Sequence, residues 1–182
     1  QNVTDPLLGP LALDFMENGM SAVEAIEHVC QQGKFIEYRQ VLVVDKAGKT
    51  AIYSGPNSLG IWTQAQGLDV ASGGNMLAND RVPQAMVDSF LASSGHLGDR
   101  LISAMRAGLA AGGEAGPLHS AGILLVDSVA WPVAELRCDW TDNCPIENIA
   151  TAWEVYKPQL AAYVQRAIDP RDAPSYGVPG DQ

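Results

Sequence analysis

Basic residues are scarce in this chain: 11 Lys and Arg stand against 21 Asp and Glu in 182 residues, for a formal net charge of −10. They form no cluster, so a phosphate-neutralising surface would have to be built against the field of the whole chain, and no nucleic-acid partner is expected. Long apolar runs are also missing. The longest, "SAGILLVDSVAWPVAEL", is broken by Asp127, Pro132 and Glu135 short of the roughly 20 residues of a membrane span, so no membrane partner is expected. Cysteine is limited to Cys30, Cys138 and Cys144, an odd number at no metal-ligand spacing. Reduced thiols in a cytoplasmic protein, with no disulfide framework and no metal site, are the expectation. The first residues carry neither a basic n-region nor an apolar h-region, so no signal peptide is visible. There is no P-loop, no G-x-G-x-x-G after a strand, no H-E-x-x-H, no G-x-S-x-G and no C-x-x-C, and no cofactor is expected.

What is present is the composition of a folded domain, 47% hydrophobic with mean hydropathy near zero. In "DPLLGPLALDFMENG", Asp5 as N-cap, Pro6 at the first helical position and Gly19 at the stop predict a helix. "SAVEAIEHVCQQG" predicts a second: Ser21 and Glu24 form a capping box, Val23, Ile26 and Cys30 share one face, and Gly33 ends it. The period then changes. "YRQVLVVDKAGKTAIYSG" predicts a β-hairpin with strands Tyr38 to Asp45 and Lys49 to Ser54, and a third strand falls near Leu68 to Ala71. "NDRVPQAMVDSFLASSG" and "HLGDRLISAMRAGLAAGG" restore the helical period, through Val82, Met86 and Phe90 and then Leu97, Leu101, Ile102 and Met105. "SAGILLVDS" and "VAELRCDW" read as a second hairpin, and 145–166 as a last helix striped by Ile149, Trp153, Tyr156 and Leu160. Residues 169–182 form a Pro/Gly-rich arm. The order αα, ββ(β), αα, ββ, α lacks strand-helix alternation, so the class is α+β, with helices packed on antiparallel sheets in a single domain over 1–168.

Chemistry-bearing residues are few. Three histidines exist, of which His28 and His96 read as surface or packing residues. The corner "AAGGEAGPLHSAGILLV" delivers His119 and Ser120 to the mouth of an apolar run, but strand neighbours point to opposite faces, so a direct relay between them is geometrically poor. The corner reads as a turn, the other reading being a pocket-lining role for Ser120 on a Gly-rich loop. "ASGGNML", 71–77, reads as a loop in which Gly73 and Gly74 let backbone N–H groups approach a ligand, and Asn75 adds an amide that can donate to a developing oxyanion. A tight turn is the competing reading. "EYRQ" places Glu37 and Arg39 on one face of a strand, and Asp139 and Asp142 follow the last strand as paired carboxylates or as an Asp-rich turn.

Taken in order, "EYRQVLVVDKAGKTAIYSG", "GGNML", "AGGEAGPLHSAGILLV", "WPVAELRCDW" and "APSYGVPGD" resemble a bacterial family, the domain of unknown function ten twenty-eight, over nearly the whole chain. The resemblance implies an Ntn-hydrolase (N-terminal nucleophile) fold, a four-layer αββα sandwich with antiparallel sheets between helical layers. In that superfamily an N-terminal Thr, Ser or Cys attacks an amide carbonyl while its own α-amine acts as base. Gln1 cannot do this, and family members carry some 40 to 50 further residues upstream, about two strands by ordinary strand lengths. The nucleophile is therefore expected upstream of Gln1. The resemblance implies oxyanion or orienting roles for Gly74 and Asn75 and pocket roles for Glu37, Arg39, Ser120 and Asp139. One departure stands out: where relatives have a His-containing Asp-rich stretch, this chain reads Asp139-Trp140-Thr141-Asp142, which puts a His-based or metal-based role there in doubt. The implied function is hydrolysis of a small-molecule amide without cofactor, with homo-oligomerisation by analogy; the alternative is a non-catalytic binding or assembly protein that keeps the fold.

Overall fold

The structure, a computed structural model, describes residues 3–175 and Gly177; Gln1, Asn2, Tyr176 and 178–182 lie outside the described residues, and with them the expected start and part of the C-terminal arm. It is a mixed α and β protein whose described strands form three two-stranded antiparallel sheets. Two compact units divide the chain after Pro117.

The first unit opens with α1 (Leu8–Glu17) and α2 (Ala22–Gln32). Asp5 does not cap α1 directly. Its carboxylate accepts from the Leu7 N–H in the preceding turn, and Leu7 stands at the N-cap. The capping box of α2 forms as the sequence indicates: the Ser21 side chain accepts from Glu24 N–H, and the Glu24 carboxylate accepts from Ser21 N–H at 2.8 Å. The buried stripe, however, is Ala22, Ala25, Ile26 and Val29, and Val23 is 53% exposed.

That sheet is a hairpin of β1 (Gln40–Val44) and β2 (Thr50–Ser54), paired from Gln40↔Ser54 to Val44↔Thr50. Val41 and Val43 of β1 join Leu8, Ala12, Ile26 and Val29 in one apolar cluster. By strand alternation Leu42 faces the other way, where it lies against Gly73 of a second hairpin. This hairpin, β3 (Ile61–Gly67) and β4 (Val70–Leu77), corrects the sequence reading: 71–77 is strand rather than loop, and of the third strand expected near Leu68 to Ala71 only Val70 and Ala71 are strand, Leu68 with Asp69 forming the turn before them. β3 escaped notice because "IWTQAQG" buries only Ala65 and shows no apolar alternation. Ser54 Oγ and Gln64 Oε1 join the hairpins at 2.6 Å. On the far face of β3 and β4 lies α3 (Val82–Ala92), with Val87 and Leu91 against Gly67; α4 (Leu97–Ala110) packs on α3 where Gly108 admits Met86.

The second unit holds β5 (Ala121–Leu125) and β6 (Ala134–Cys138), paired from Ala121↔Cys138 to Leu125↔Ala134. The expected last helix is two, α5 (Pro145–Tyr156) and α6 (Leu160–Ile168), separated by a 3-10 turn at Lys157–Gln159 because Pro158 cannot continue the hydrogen-bond ladder. α5 packs on both strands through Ile146, Ile149, Ala150 and the fully buried Trp153. No helix among the described residues is long and apolar enough to cross a membrane.

Candidate functional site

Asn75 sits in an irregularity of β4. Thr63 pairs with Gly74 and Ile61 with Leu77, so Asn75 and Met76 together oppose Trp62 in a β-bulge. Met76 adopts a left-handed backbone at φ 54°, held by its N–H to the Leu59 carbonyl at 2.8 Å and by its own carbonyl, which accepts from Ala115 N–H at 2.7 Å. A bulge re-aims the side chains around it, and a strained non-glycine residue beside it is a recurrent feature of functional sites. The Asn75 side chain makes no hydrogen bond among the described residues and lines a narrow cleft with Val3, Tyr38, Gln40, Ser58 and Leu59.

Across the cleft the "EYRQ" segment is not the strand the sequence suggested. Ile36–Tyr38 is a 3-10 turn and Arg39 closes it, so Glu37 and Arg39 do not share a strand face and form no ion pair with each other. The Glu37 carbonyl accepts from Asn57 N–H and the Arg39 carbonyl from Gly55 N–H, both at 2.8 Å, which pins the turn to the chain after β2. Arg39 Nη1 donates to the Val3 carbonyl at 2.8 Å, while its Nε is buried without an acceptor. Burial pushes the Tyr53 hydroxyl above its usual range, with Cys30 and Glu37 adding to the effect. Gln40 ties the two motifs together: its amide donates to Ser54 Oγ at 2.9 Å and to the Gly74 carbonyl at 3.3 Å. Those donations fix its orientation and leave Oε1 buried and unpartnered, as is Ser58 Oγ. Glu37, Arg39, Gly74 and Asn75 thus lie in the first unit, with Gln40 as the link.

Ser120 and Asp139 lie in the second unit. Ser120 is exposed at the start of β5, and Asp139 takes both Arg137 Nε at 3.1 Å and Nη2 at 2.7 Å, which raises the Arg137 pKa. His119 is turned to its own structural task. Its Nδ1–H donates to the Thr141 carbonyl at 2.9 Å, Thr141 N–H returns a bond to the His119 carbonyl, and the ring stacks on Trp140 at 4.0 Å. Asp142 lies 3.8 Å from His119 Nδ1. Among the described residues no group of three or more His, Cys, Asp or Glu is arranged to hold a metal ion.

With this geometry in view, residues 1–149 match the family described as "Family of unknown function (DUF1028)". The chain belongs to this family. It is similar to the crystal structure of protein SPO2555 from Silicibacter pomeroyi, assigned to DUF1028 as well, at 26% identity and a TM-score of 0.77, over 85% of this chain and 69% of that one. No curated protein matches the chain. Within this DUF1028 chain, sequence reasoning passed over Tyr38, Gln40 and Ser58. Gln40 stood inside the quoted "EYRQ", and its position directly before an apolar strand was the available signal; Ser58, in a polar turn, gave none.

Proposed function

We propose that the protein is an amide-bond hydrolase of the N-terminal nucleophile type, with the Asn75 bulge as the element that receives the oxyanion or orients the substrate. The observation that carries this reading is the meeting of Tyr38 and Gln40 with Asn75 around one cleft, joined by the Gln40 bond to the Gly74 carbonyl. In support, the first unit stacks helix pair on hairpin, hairpin on hairpin, and hairpin on helix pair, the order that a four-layer αββα sandwich requires.

In such a mechanism a terminal Thr, Ser or Cys attacks the amide carbonyl as its own α-amine takes the proton. The carbonyl oxygen gains the electron pair and the negative charge, and the Asn75 side-chain amide, which has no competing acceptor among the described residues, donates to it. Collapse of the tetrahedral intermediate breaks the C–N bond, the departing amine recovers the proton from the α-ammonium, and water then hydrolyses the acyl-enzyme. The test is the intact mass and amino-terminal sequence of the protein purified from its whole gene, together with the kinetics of Asn75→Ala. A mature chain beginning with Thr, Ser or Cys, and a kcat reduced about 100- to 1,000-fold in the variant, are the expected results. A mature chain that begins with any other residue removes the N-terminal nucleophile reading.

A further inference from the structure

The Asn75 cleft holds only about 10 Å³ of free space, roughly the room that one water molecule takes. A carbonyl oxygen fits there and the rest of an amide does not, so a substrate that meets Asn75 has to lie across the mouth of the cleft. The mouth is apolar. Tyr38 and Leu59 line the cleft directly, and Met76 follows Asn75 in the bulge, its N–H bonded to the Leu59 carbonyl. A Cβ on Gly60 would come within 3.1 Å of the Met76 Cα, so the chain at 59–60 and the chain at Met76 touch and form one ledge. Trp62 is the β3 residue that Asn75 and Met76 oppose.

All four of these side chains are reachable from solvent, at 36 to 46% exposure. Single exposed apolar residues are ordinary on a protein surface, but here four stand on the three segments that frame one polar cleft. A few polar groups that orient, set among apolar walls that hold, is the composition of a small-molecule site. Among the described residues that line the cleft there is no Asp, Glu, Lys, Arg or His, so nothing there balances a charge on the ligand. The continuity of the ledge with Asn75, whose amide is uncommitted among the described residues, favours a small ligand over a second copy of the chain.

We infer that Tyr38, Leu59, Trp62 and Met76 form an apolar subsite at the mouth of the Asn75 cleft, and that the substrate is an uncharged amide with an apolar chain beside the scissile carbonyl. The substrate half of this inference rests on the amide-hydrolase reading; the subsite does not. The experiment uses the protein expressed from its whole gene and three probes: acetamide, hexanamide, and 6-aminohexanamide, which ends the same chain in an ammonium group. Binding is followed by NMR titration and hydrolysis by the release of ammonia. Hexanamide is expected to bind at least about tenfold more tightly than acetamide, because four further methylenes leave water, and at least about fivefold more tightly than 6-aminohexanamide. Leu59→Ser and Trp62→Ala should each cut the hexanamide-to-acetamide ratio at least about threefold, and Trp62→Phe, which keeps an apolar ring, should restore it. Should one variant not fold, the wild-type ratios and the other variant decide. Equal affinity for acetamide and hexanamide, a ratio that survives both substitutions, an ammonium analogue that binds as well as hexanamide, or no binding of any probe overturns the subsite. So does self-association in sedimentation that Leu59→Ser and Trp62→Ala abolish, which assigns the ledge to contact between copies. Apolar preference without hydrolysis leaves the subsite standing and sinks the amidase reading, whereas hydrolysis of acetamide and hexanamide without preference does the reverse.

Discussion

A Cβ on Gly55 would collide with the carbonyl of Glu37, a backbone atom that cannot yield without moving the Ile36–Tyr38 turn and Arg39 behind it. Gly74 is less constrained, since there the nearest obstacle is the Leu77 side chain at 2.9 Å. Gly55→Ala is therefore expected to cost about 1 to 3 kcal/mol in a urea melt, and Gly74→Ala less; equal costs would show that the turn adapts. The ranking is not legible in the sequence, where Gly74 reads as a loop glycine that lets backbone N–H groups approach a ligand and Gly55 carries no signal of its own, because each requirement is set by a contact formed on folding. The capping box of α2 is the opposite case. Ser21 and Glu24 announce it by their spacing alone, since both partners lie within one helical turn, and Ser21→Ala should lower stability by about 1 kcal/mol in the same assay.

At the scale of elements, Asp45 connects the β1–β2 turn to the start of α2. Its Oδ2 accepts from Ala22 N–H at 3.2 Å, and its Oδ1 accepts from Ala47 N–H at 2.9 Å and Lys49 N–H at 3.0 Å. Burial on its own would raise the carboxyl pKa, but the three N–H donors outweigh it, with Lys49 adding to them, and hold it below the usual range. A carboxyl depressed in the folded state contributes stability above its unfolded pKa of about 3.9, and that contribution is lost as pH falls through the folded value. Asp45→Asn should thus have a lower Tm than the parent at pH 7, with the two curves converging as the pH falls below about 4; a gap that is constant with pH would assign the effect to the turn geometry and not to the charge. The hairpin itself was legible from its β-branched residues and its turn. Its tie to α2 was not, because a carboxylate serving a turn and a helix start at once leaves no periodic trace. In the second unit the fully buried Trp153 anchors α5 against β5 and β6, and Trp153→Ala is expected to cost about 3 to 5 kcal/mol.

For the whole molecule, the order of helix pairs and hairpins was readable because the hydrophobic period switches between helical and strand spacing. The gaps came where that signal fails, at the polar β3 and at the break before α6. The candidate site was legible by half: Glu37, Arg39, Gly74 and Asn75 stand in quotable motifs, but their assembly around Gln40 depends on two hairpins stacking, which no local pattern encodes. Charge acts at this largest scale too. A net charge of −10 opposes compaction by self-repulsion, which salt relieves. The ion pairs that salt would also weaken, such as Arg137–Asp139, are exposed and contribute little. Repulsion should therefore dominate, and Tm at pH 7 should rise as NaCl is raised from about 0.01 M to about 0.5 M. The rise should shrink toward pH 4.5, the sequence pI, where the net charge vanishes. A Tm that instead falls with salt at pH 7 would mean that attraction between specific pairs outweighs the acidic excess.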